Sequence, residues 1–381
     1  MIKKILILGG YGNTGKWIAE LLLRFSQVDL IIAGRNKIKA EKTAAQLNQK
    51  YRSPKTTAAV VDAGNYDQLM QALRQVDLVI VAASVVDDID KVAQAAIEAK
   101  VHYLDTLLSS EKKLNELKKL MPEMKKQGVV FVTDGGFHPG LPAAMVRFAK
   151  EYFDELHVAQ IFSLLRFNWR DLQFSQSTID EMIDEFEHYK PVIFENGEWK
   201  NVGWSFARRA DFGEIFGRVR CVPMLLHELN RVTEKISTLT TTGFYVSGFN
   251  WFTDNFILPL VMLGVKVLPR EKMGFLKKAF IWSLRKFSSP PFRTSLKMEA
   301  SGLKKSEKTT MTMVIFHEDG YFLTAAPVVA CILQLMNRNF QPGLHFQGMV
   351  VEPKSFFADL TKLGIEVTMD LPDLFAKIAQ T

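Results

Sequence analysis

A glycine-rich motif near the start of the 381-residue chain is the clearest candidate for chemistry. Residues 10–15 read Gly-Tyr-Gly-Asn-Thr-Gly, the spacing G-x-G-x-x-G, directly after the apolar run 4–8. In this context the first glycine permits a tight turn, the second lets a pyrophosphate reach the backbone, and the third brings a helix close to a strand. Amide groups at the start of that helix would bind the phosphates. The predicted dinucleotide site comprises Gly10, Tyr11, Gly12, Asn13, Thr14 and Gly15.

The residues after the second predicted strand indicate which dinucleotide binds. An enzyme that uses NAD usually carries Asp or Glu there, which holds the ribose 2′-hydroxyl. This chain has no acid at that point and continues with Arg35, Asn36 and Lys37. A guanidinium can bind a 2′-phosphate through two parallel hydrogen bonds, and a lysine adds positive charge. The sequence therefore predicts NADP(H), with NAD as the less favoured cofactor.

Two further strand ends complete the cofactor hypothesis. Asp62 follows the third predicted strand, where it can face the adenine end of a dinucleotide or cap the next helix. Ala82, Ala83 and Ser84 end the fourth strand with small side chains. Small residues at a strand end allow a cofactor to pass close to the backbone, so we include these three positions in the predicted site.

Polar side chains at the ends of the fifth and sixth predicted strands are the candidates for proton transfer. Tyr103 and Asp105 lie at the fifth strand, and the sixth leads into residues 133–142, where three glycines and two prolines surround His138. Histidine ordinarily titrates near neutral pH, which suits proton transfer. We predict His138 as the catalytic or substrate-binding residue, with Asp105 and Tyr103 as alternatives, and a structural role stays open for each. No metal-ligand spacing such as H-x-x-x-H occurs.

A regular alternation of strands and helices positions these residues. The six apolar runs are residues 4–8, 30–33, 58–61, 77–82, 101–104 and 129–132. Continuous apolar strands joined by helices are typical of a parallel sheet covered on both faces. We predict an α/β protein with a doubly wound Rossmann domain over 1–142 and an α+β substrate or interaction domain over 143–381. An apolar helix near 325–336 could dock back on the first domain.

Positive charge is concentrated in one segment of the chain. Residues 266–305 carry eleven Lys or Arg and two Glu, a net charge of +9 compared with +7 for the whole chain. Because the excess is local, we predict no nucleic-acid partner. Residues 275–287 place apolar side chains at helical spacing beside basic ones, so this helix can pack on its own domain, touch an anionic membrane surface or bind a protein. Peripheral membrane contact would involve residues 249–305.

Two simpler features bear on location. The longest uncharged run of that segment, 255–265, has 11 residues, whereas a membrane span needs about 20. Only Cys221 and Cys331 are present, which excludes a disulfide scaffold. The N-terminus lacks the pattern of a secretory signal, so we expect a cytoplasmic protein, with the inner face of a membrane as an alternative position.

Several stretches together resemble one family. They are Ile-Leu-Gly-Gly-Tyr-Gly-Asn-Thr-Gly at the N-terminus, Ala-Gly-Arg-Asn after the second strand, Val-His-Tyr-Leu-Asp-Thr at the fifth, Gly-Gly-Phe-His-Pro-Gly-Leu-Pro after the sixth, Asn-Gly-Glu-Trp at 196–199, Thr-Thr-Gly-Phe at 241–244 and Asp-Gly-Tyr-Phe-Leu-Thr-Ala at 319–325. The chain thereby resembles the saccharopine dehydrogenase-like family. The resemblance implies an NADP- or NAD-dependent oxidoreductase, and some members act on amino-acid-derived imines. The family's loop usually reads Gly-Phe-Asp-Pro-Gly, and His138 stands here in place of that Asp.

Two functions from different classes are compatible with these features. The first is an NADP(H)-dependent oxidoreductase that transfers a hydride to or from a C=N, C=O or C=C group of a small molecule bound between two domains. The second is a non-catalytic dinucleotide-binding protein, either a redox sensor or a membrane-surface adaptor. The polar set His138, Tyr103 and Asp105 favours the enzyme, because a sensor does not need all three at strand ends. The substrate, the reaction direction and the oligomeric state, a homodimer included, stay open.

Overall fold

The computed structural model describes residues 2–52, 55–172 and 176–371, which form two compact units. The first unit contains the described residues of Met1–Arg147 and Tyr321–Ile365, and the second those of Phe148–Gly320 and Glu366–Thr381. This division differs from the continuous second domain predicted for 143–381. The reason is that the chain returns to the first unit at Tyr321, where it adds an apolar helix and a further parallel strand.

The elements follow one another with short connections through most of the first unit. The strands are β1 (Lys4–Leu8), β2 (Asp29–Gly34), β3 (Thr56–Val60), β4 (Leu78–Val81), β5 (His102–Asp105), β6 (Val130–Thr133), β7 (Glu155–Arg166), β8 (Val192–Glu195), β9 (Glu198–Asn201), β10 (Arg208–Asp211), β11 (Arg218–Met224), β12 (Thr241–Ser247), β13 (Arg293–Lys304), β14 (Glu307–His317), β15 (Gly343–Phe346) and β16 (Glu366–Asp370). The helices are α1 (Asn13–Phe25), α2 (Lys37–Tyr51), α3 (Tyr66–Leu73), α4 (Ile89–Glu98), α5 (Glu111–Lys119), α6 (Met121–Gln127), α7 (Leu141–Tyr152), α8 (Gln176–Glu187), α9 (His227–Lys235), α10 (Leu258–Val267), α11 (Gly274–Lys286), α12 (Gly320–Asn337), α13 (Gln347–Val350) and α14 (Pro353–Leu363).

The described residues of the first unit form a seven-stranded parallel sheet in the order β15-β6-β5-β4-β1-β2-β3. Every residue of the central strand β4 is buried, whereas the edge strand β3 exposes part of its surface. Uninterrupted apolar strands are buried on both faces, as a doubly wound fold requires. The predicted Rossmann fold is therefore confirmed, and its reactive edge lies beyond the carboxyl ends of these strands.

The second unit contains a mixed nine-stranded sheet among its described residues. Its main order is β10-β11-β12-β7-β13-β14-β16, and β8 pairs with both β12 and β9. In β14 the buried side chains alternate along the strand, Thr309, Met311, Met313 and Ile315, because one face of the sheet packs on a core while the other does not. This agrees with the predicted α+β character of the second part of the chain.

Three local features go beyond the pattern of apolar runs. Residues 111–127 form two helices, α5 and α6, with Pro122 in the first turn of α6, where a missing amide costs no hydrogen bond. In the second unit, α9 extends to Lys235 and β12 starts at Thr241. The strands β9, β10, β11, β13, β15 and β16 lie in segments without a continuous apolar run.

Among the described residues, one helix, α12, has the length and hydropathy of a membrane span, and 67% of that stretch is buried within the protein. Phe322 of α12 meets Trp17 of α1 edge to face, with ring centroids 5.0 Å apart. The buried part of α12 from Tyr321 onward belongs to the core of the first unit.

Candidate functional site

The glycine motif occupies the turn between β1 and α1. A Cβ atom built on Gly15 would lie 2.3 Å from the carbonyl oxygen of Gly9 and 2.8 Å from the Cα atom of Gly10. The helix therefore lies too close to the turn for any side chain at position 15. Gly9, which the sequence motif did not include, is equally constrained, since its Cβ would lie 2.6 Å from the carbonyl oxygen of Ala82.

Gly12 leaves the start of α1 open. It is the N-cap residue of the helix, and no side chain caps the first turn. Among the described residues, a Cβ built on Gly12 would have only the Gly9 carbonyl oxygen within 4 Å, at 3.1 Å. The first turn of α1 thus has no side-chain cap and has open space at Gly12, which suits the binding of a pyrophosphate. The turn fits a dinucleotide.

Tyr11 fixes the neighbouring turn between β2 and α2. Its ring covers Gly34 so closely that a Cβ there would lie 2.6 Å from a ring carbon, and its hydroxyl oxygen accepts a hydrogen bond from the Asn36 amide at 3.2 Å. The Asn36 side chain in turn caps α2 by accepting from the Lys39 amide at 2.9 Å. Arg35 is exposed between these fixed points. The structure therefore brings the two predicted cofactor turns together.

The cation Lys37 and the residues beyond β3 and β4 complete this edge. Lys37 is exposed and forms an ion pair with Glu41 at 3.8 Å, which offsets part of its charge. Asp62 is exposed and accepts a hydrogen bond from the Gly64 amide at 3.0 Å, whereas Asn65 caps α3. The capping role considered for Asp62 thus belongs to Asn65, and the predicted adenine contact stays a prediction.

The small residues after β4 lie against the glycine turn. A Cβ built on Gly9 would approach the Cβ atom of Ala83 to 2.8 Å, and the Ala82 amide donates to the Leu8 carbonyl at 2.8 Å. Ser84 follows on the same edge and is half-buried. The Ala83 side chain thus lies beside Gly9, so its small size has a packing reason in the protein itself.

A buried charged cluster joins the ends of β5 and β6. The Lys113 ammonium of α5 contacts an Asp105 carboxylate oxygen at 3.0 Å and an Asp134 carboxylate oxygen at 2.7 Å, and all three side chains are fully buried. Lys113 also donates to the Leu107 carbonyl at 2.8 Å. Two carboxylates therefore share one ammonium, which leaves one excess negative charge that neutral donors must stabilise.

Those neutral donors come from the strand ends. Asp105 accepts from the hydroxyls of Tyr103 at 3.0 Å and Thr133 at 2.7 Å, and Asp134 accepts from the Ser109 hydroxyl at 2.5 Å. Burial raises the pKa of Tyr103 well above its ordinary value, and the facing Asp105 adds to the shift. Burial alone would lower the pKa of Lys113, but Asp105 and Asp134 outweigh it, so this pKa lies above its ordinary value.

This arrangement changes the interpretation of two predicted catalytic residues. Asp105 and Tyr103 are fully buried, and hydrogen bonds within the protein occupy both oxygens of the Asp105 carboxylate. Burial opposes direct proton exchange with a substrate, and the geometry fits positioning residues that hold the sheet edge. The sequence analysis did not identify Lys113, because its helix is rich in lysine. Its position one turn before the buried Leu117 could have indicated that it lies on the buried face of α5.

The loop after β6 presents His138. A Cβ built on Gly140 would lie 2.5 Å from the Gly136 carbonyl oxygen, and the φ angle of Gly140 is +120°, so only glycine fits there. The buried Gln347 side chain, 211 residues further along the chain, holds the loop, since it accepts from the Gly136 amide at 3.2 Å and donates to the Gly136 carbonyl at 3.1 Å. No local sequence pattern indicated Gln347.

His138 itself is half-buried, although both of its ring nitrogens are covered. The ring meets Phe137 edge to face, with centroids 3.8 Å apart. Burial lowers the pKa of His138 to about 4. The imidazole is therefore neutral at pH 7, and either acceptance of a proton or its donation from an imidazolium requires substrate binding to uncover a ring nitrogen and to raise this pKa.

Comparisons with known proteins show what this chain is similar to. Residues 5–132 match the family model described as the saccharopine dehydrogenase NADP binding domain. Apo saccharopine dehydrogenase (L-Glu forming) from Saccharomyces cerevisiae is similar over 97% of this chain and 99% of that chain, with a TM-score of 0.67 and 14% identity. Isoeugenol synthase 1 from Clarkia breweri is 33% identical over 84 residues, which are 22% of this chain and 26% of that protein.

The three matches differ in reach. The match to isoeugenol synthase 1 spans about a quarter of that relative's length, 26%, whereas the yeast enzyme shares the fold of nearly the whole chain. The family model covers the strands that form the glycine turn, the Arg35 turn and the buried cluster. On these findings, residues 5–132 form a domain similar to the saccharopine dehydrogenase NADP-binding domain, and the chain shares the fold of the yeast enzyme.

Proposed function

We propose that the protein is an NADP(H)-dependent oxidoreductase that transfers a hydride to or from a C=N, C=O or C=C carbon of a small molecule. The observation that carries the proposal is the uncapped start of α1 behind Gly12, beside a β2–α2 turn that offers Arg35 and no acid. The nicotinamide, when bound, supplies or accepts the hydride. The protein's own residues bind the phosphates, orient the ligand and handle the proton.

The proton is assigned to His138. Its ring is neutral at pH 7, and the loop that carries it is fixed by Gly140 and Gln347. In the direction of substrate oxidation, the imidazole would accept the proton that leaves a substrate oxygen or nitrogen. Tyr103 and Asp105 would act indirectly, by holding the ends of β5 and β6 through Lys113. The competing function, a non-catalytic redox sensor, would need the glycine turn but not this loop.

NADPH should bind more tightly than NADH, and Arg35→Asp should remove or reverse that preference. A guanidinium–phosphate contact contributes roughly 1.5–3 kcal/mol, so the ratio of the two dissociation constants should change by about 10- to 100-fold. Fluorescence titration with each cofactor measures both constants. Lys42→Asp is the matched control, since it makes a similar charge change at an exposed position further along α2. Equal affinity of the unmodified protein for both cofactors would contradict the assignment to NADP(H).

We further propose that the second unit lets the protein, placed in the cytoplasm, bind peripherally to the inner face of a membrane. The outer face of α10 carries Leu260, Leu263 and Val267, which are exposed at helical spacing, while Val261 and Gly264 are buried on the opposite face. Trp251 is 72% exposed and Phe275 is 79% exposed in the flanking segments. Exposed apolar side chains beside a segment of net charge +9 complement an anionic bilayer.

The protein should therefore sediment with vesicles that contain anionic lipid, and less so with neutral vesicles or at high salt. The variant Leu260→Asp/Leu263→Asp should weaken binding by about tenfold or more, since each inserted leucine contributes on the order of 1.5 kcal/mol. The control is Ile38→Asp, which replaces an apolar side chain that is 76% exposed in the first unit. Sedimentation that is absent at low salt, or unchanged in the leucine variant, would leave α10 as a surface helix only.

A further inference from the structure

Helix α11 has two chemically different faces. Leu276, Phe280 and Leu284 lie on the face that packs into the core of the second unit, where Leu276 closes on Gly264 of α10. The other face lines a cavity of about 750 Å³ within the same unit. The cavity-lining positions of α11 recur at intervals of three, four, seven and eight residues, so the helix period places them along one side.

The described residues that line this cavity include five basic side chains and no acidic one. They are Arg170, Lys277, Lys278, Arg285 and Lys286. Lys277 is paired with Asp180 of α8 at 2.6 Å, and Arg285 donates to the Leu172 carbonyl at 3.0 Å. Lys278 and Lys286 are exposed at the cavity wall. Even with Asp180 counted, the lining keeps a net charge of +4 within one cavity, which favours an anionic ligand.

Apolar side chains lie between these cations. Ile281 and Trp282 follow Lys277 and Lys278 by one helical turn and precede Arg285 and Lys286 by another. Trp282 is 52% exposed, and its ring lies 6.1 Å from that of Phe252 and 6.0 Å from that of Phe287. A ligand that contacts the cations therefore also contacts an apolar wall, which a hydrated inorganic anion cannot use.

The apolar wall continues out of the cavity. Phe252 stacks on Phe287 at 4.5 Å and on Phe256 at 5.3 Å, and Phe256 meets Trp251 at 5.4 Å. Phe256 and Trp251 are exposed. The aromatic cluster thus extends the apolar wall of this open cavity from Trp282 along the surface to Trp251, which offers a hydrocarbon chain apolar contacts beside the cations.

We propose that this cavity is a binding site for a single anionic amphiphile, a lipid whose phosphate is held by Lys278, Arg285 and Lys286 and whose chain lies along Trp282 and the aromatic cluster. The proposal is independent of the oxidoreductase assignment, because every residue in it belongs to the second unit. It also differs from general attraction to a charged bilayer, since it requires one lipid molecule and one cavity rather than a surface.

Short-chain phospholipids below their critical micelle concentration test the site without a membrane. Calorimetric titration should give saturable binding of dihexanoyl phosphatidylglycerol at one site per chain. Dihexanoyl phosphatidylcholine, which is zwitterionic, and sn-glycerol 3-phosphate, which has no chains, should each bind at least about tenfold more weakly. Equal binding of glycerol phosphate would overturn the lipid assignment in favour of a free phosphate, and equal binding of the choline lipid would overturn the role of the cations.

Variants separate the two halves of the site. Lys278→Glu/Lys286→Glu should weaken phosphatidylglycerol binding by about 10- to 100-fold, and Trp282→Ala should weaken it while leaving glycerol phosphate binding unchanged. Lys308→Glu, an exposed lysine on β14, is the matched charge control and should bind the lipid normally. The proposal would be overturned if phosphatidylglycerol did not bind, or if both cavity variants bound it normally. This conclusion would not depend on the results of the vesicle and cofactor experiments.

Discussion

Lys113→Met is expected to lower the free energy of unfolding by about 3–5 kcal/mol, because it leaves the Asp105 and Asp134 carboxylates buried beside each other without their cation. Methionine keeps most of the side-chain volume, so the change reports the lost charge rather than a cavity. Urea denaturation at pH 7 measures the effect. NADPH affinity should fall only to the extent that loss of the Lys113 charge displaces the ends of β5 and β6.

The neighbouring residue supplies the control for this variant. Lys112 is paired with Asp87 at the surface, its side chain is 60% exposed, and Lys112→Met should change stability by less than about 1 kcal/mol. The double variant Lys113→Met/Asp134→Asn removes one of the two stranded charges and should be less destabilised than the sum of its parts. A loss below about 1 kcal/mol for Lys113→Met would contradict the buried-cluster interpretation.

His138→Ala is expected to lower the rate of hydride transfer by about 10²–10⁴-fold while NADPH affinity stays unchanged. The reason is that the proposed cofactor contacts, at the glycine turn and Arg35, lie outside the loop that carries His138. Single-turnover measurements with an identified substrate separate this step from binding. His138→Asp, which installs the residue usual in the family, should recover part of the rate. A rate within about threefold of the unmodified protein would remove His138 from the reaction.

The difference in stability between the unmodified protein and His138→Ala should depend on pH. The folded protein holds His138 with a pKa of about 4, below the ordinary 6.5, so the unfolded chain binds its proton first as the pH falls. The unmodified protein should therefore lose up to about 3 kcal/mol relative to His138→Ala between pH 7 and pH 4. His188→Ala, at an exposed histidine on a different unit, controls for removal of an imidazole.

The predictable parts of the structure are those that local pattern determines. The Rossmann sheet could be predicted from its apolar runs. A strand that is buried on both faces is apolar at successive positions, and this pattern differs from that of a helix or a loop. The glycine turn followed from spacing, because Gly15 must approach Gly9 and Gly10 within the same short segment. Arg35 and Lys37 follow β2, and their contact with the cofactor stays a prediction.

What could not be predicted depends on residues far apart in the chain. In the sequence Lys113 is one of several lysines within residues 111–126, and only its contacts with Asp105 and Asp134 distinguish it. The return of the chain at Tyr321 follows from tertiary packing of α12 and pairing of β15 with β6, so a single boundary near 142 could not describe it. Gln347 lies 211 residues from its partner Gly136, beyond any periodic signal.

That last contact has a consequence for how the protein is made. Gly136 is synthesised 211 residues before Gln347, and a ribosome adds about 5–20 residues per second, so about 10–40 s separate the two. The strands β1–β6 can pair during that interval, but the loop that carries His138 lacks the amide group that fixes it. We therefore expect that the nascent chain can bind the cofactor before the His138 loop is fixed. A chain that ends before Gln347 would bind the cofactor but would lack the contact that fixes this loop.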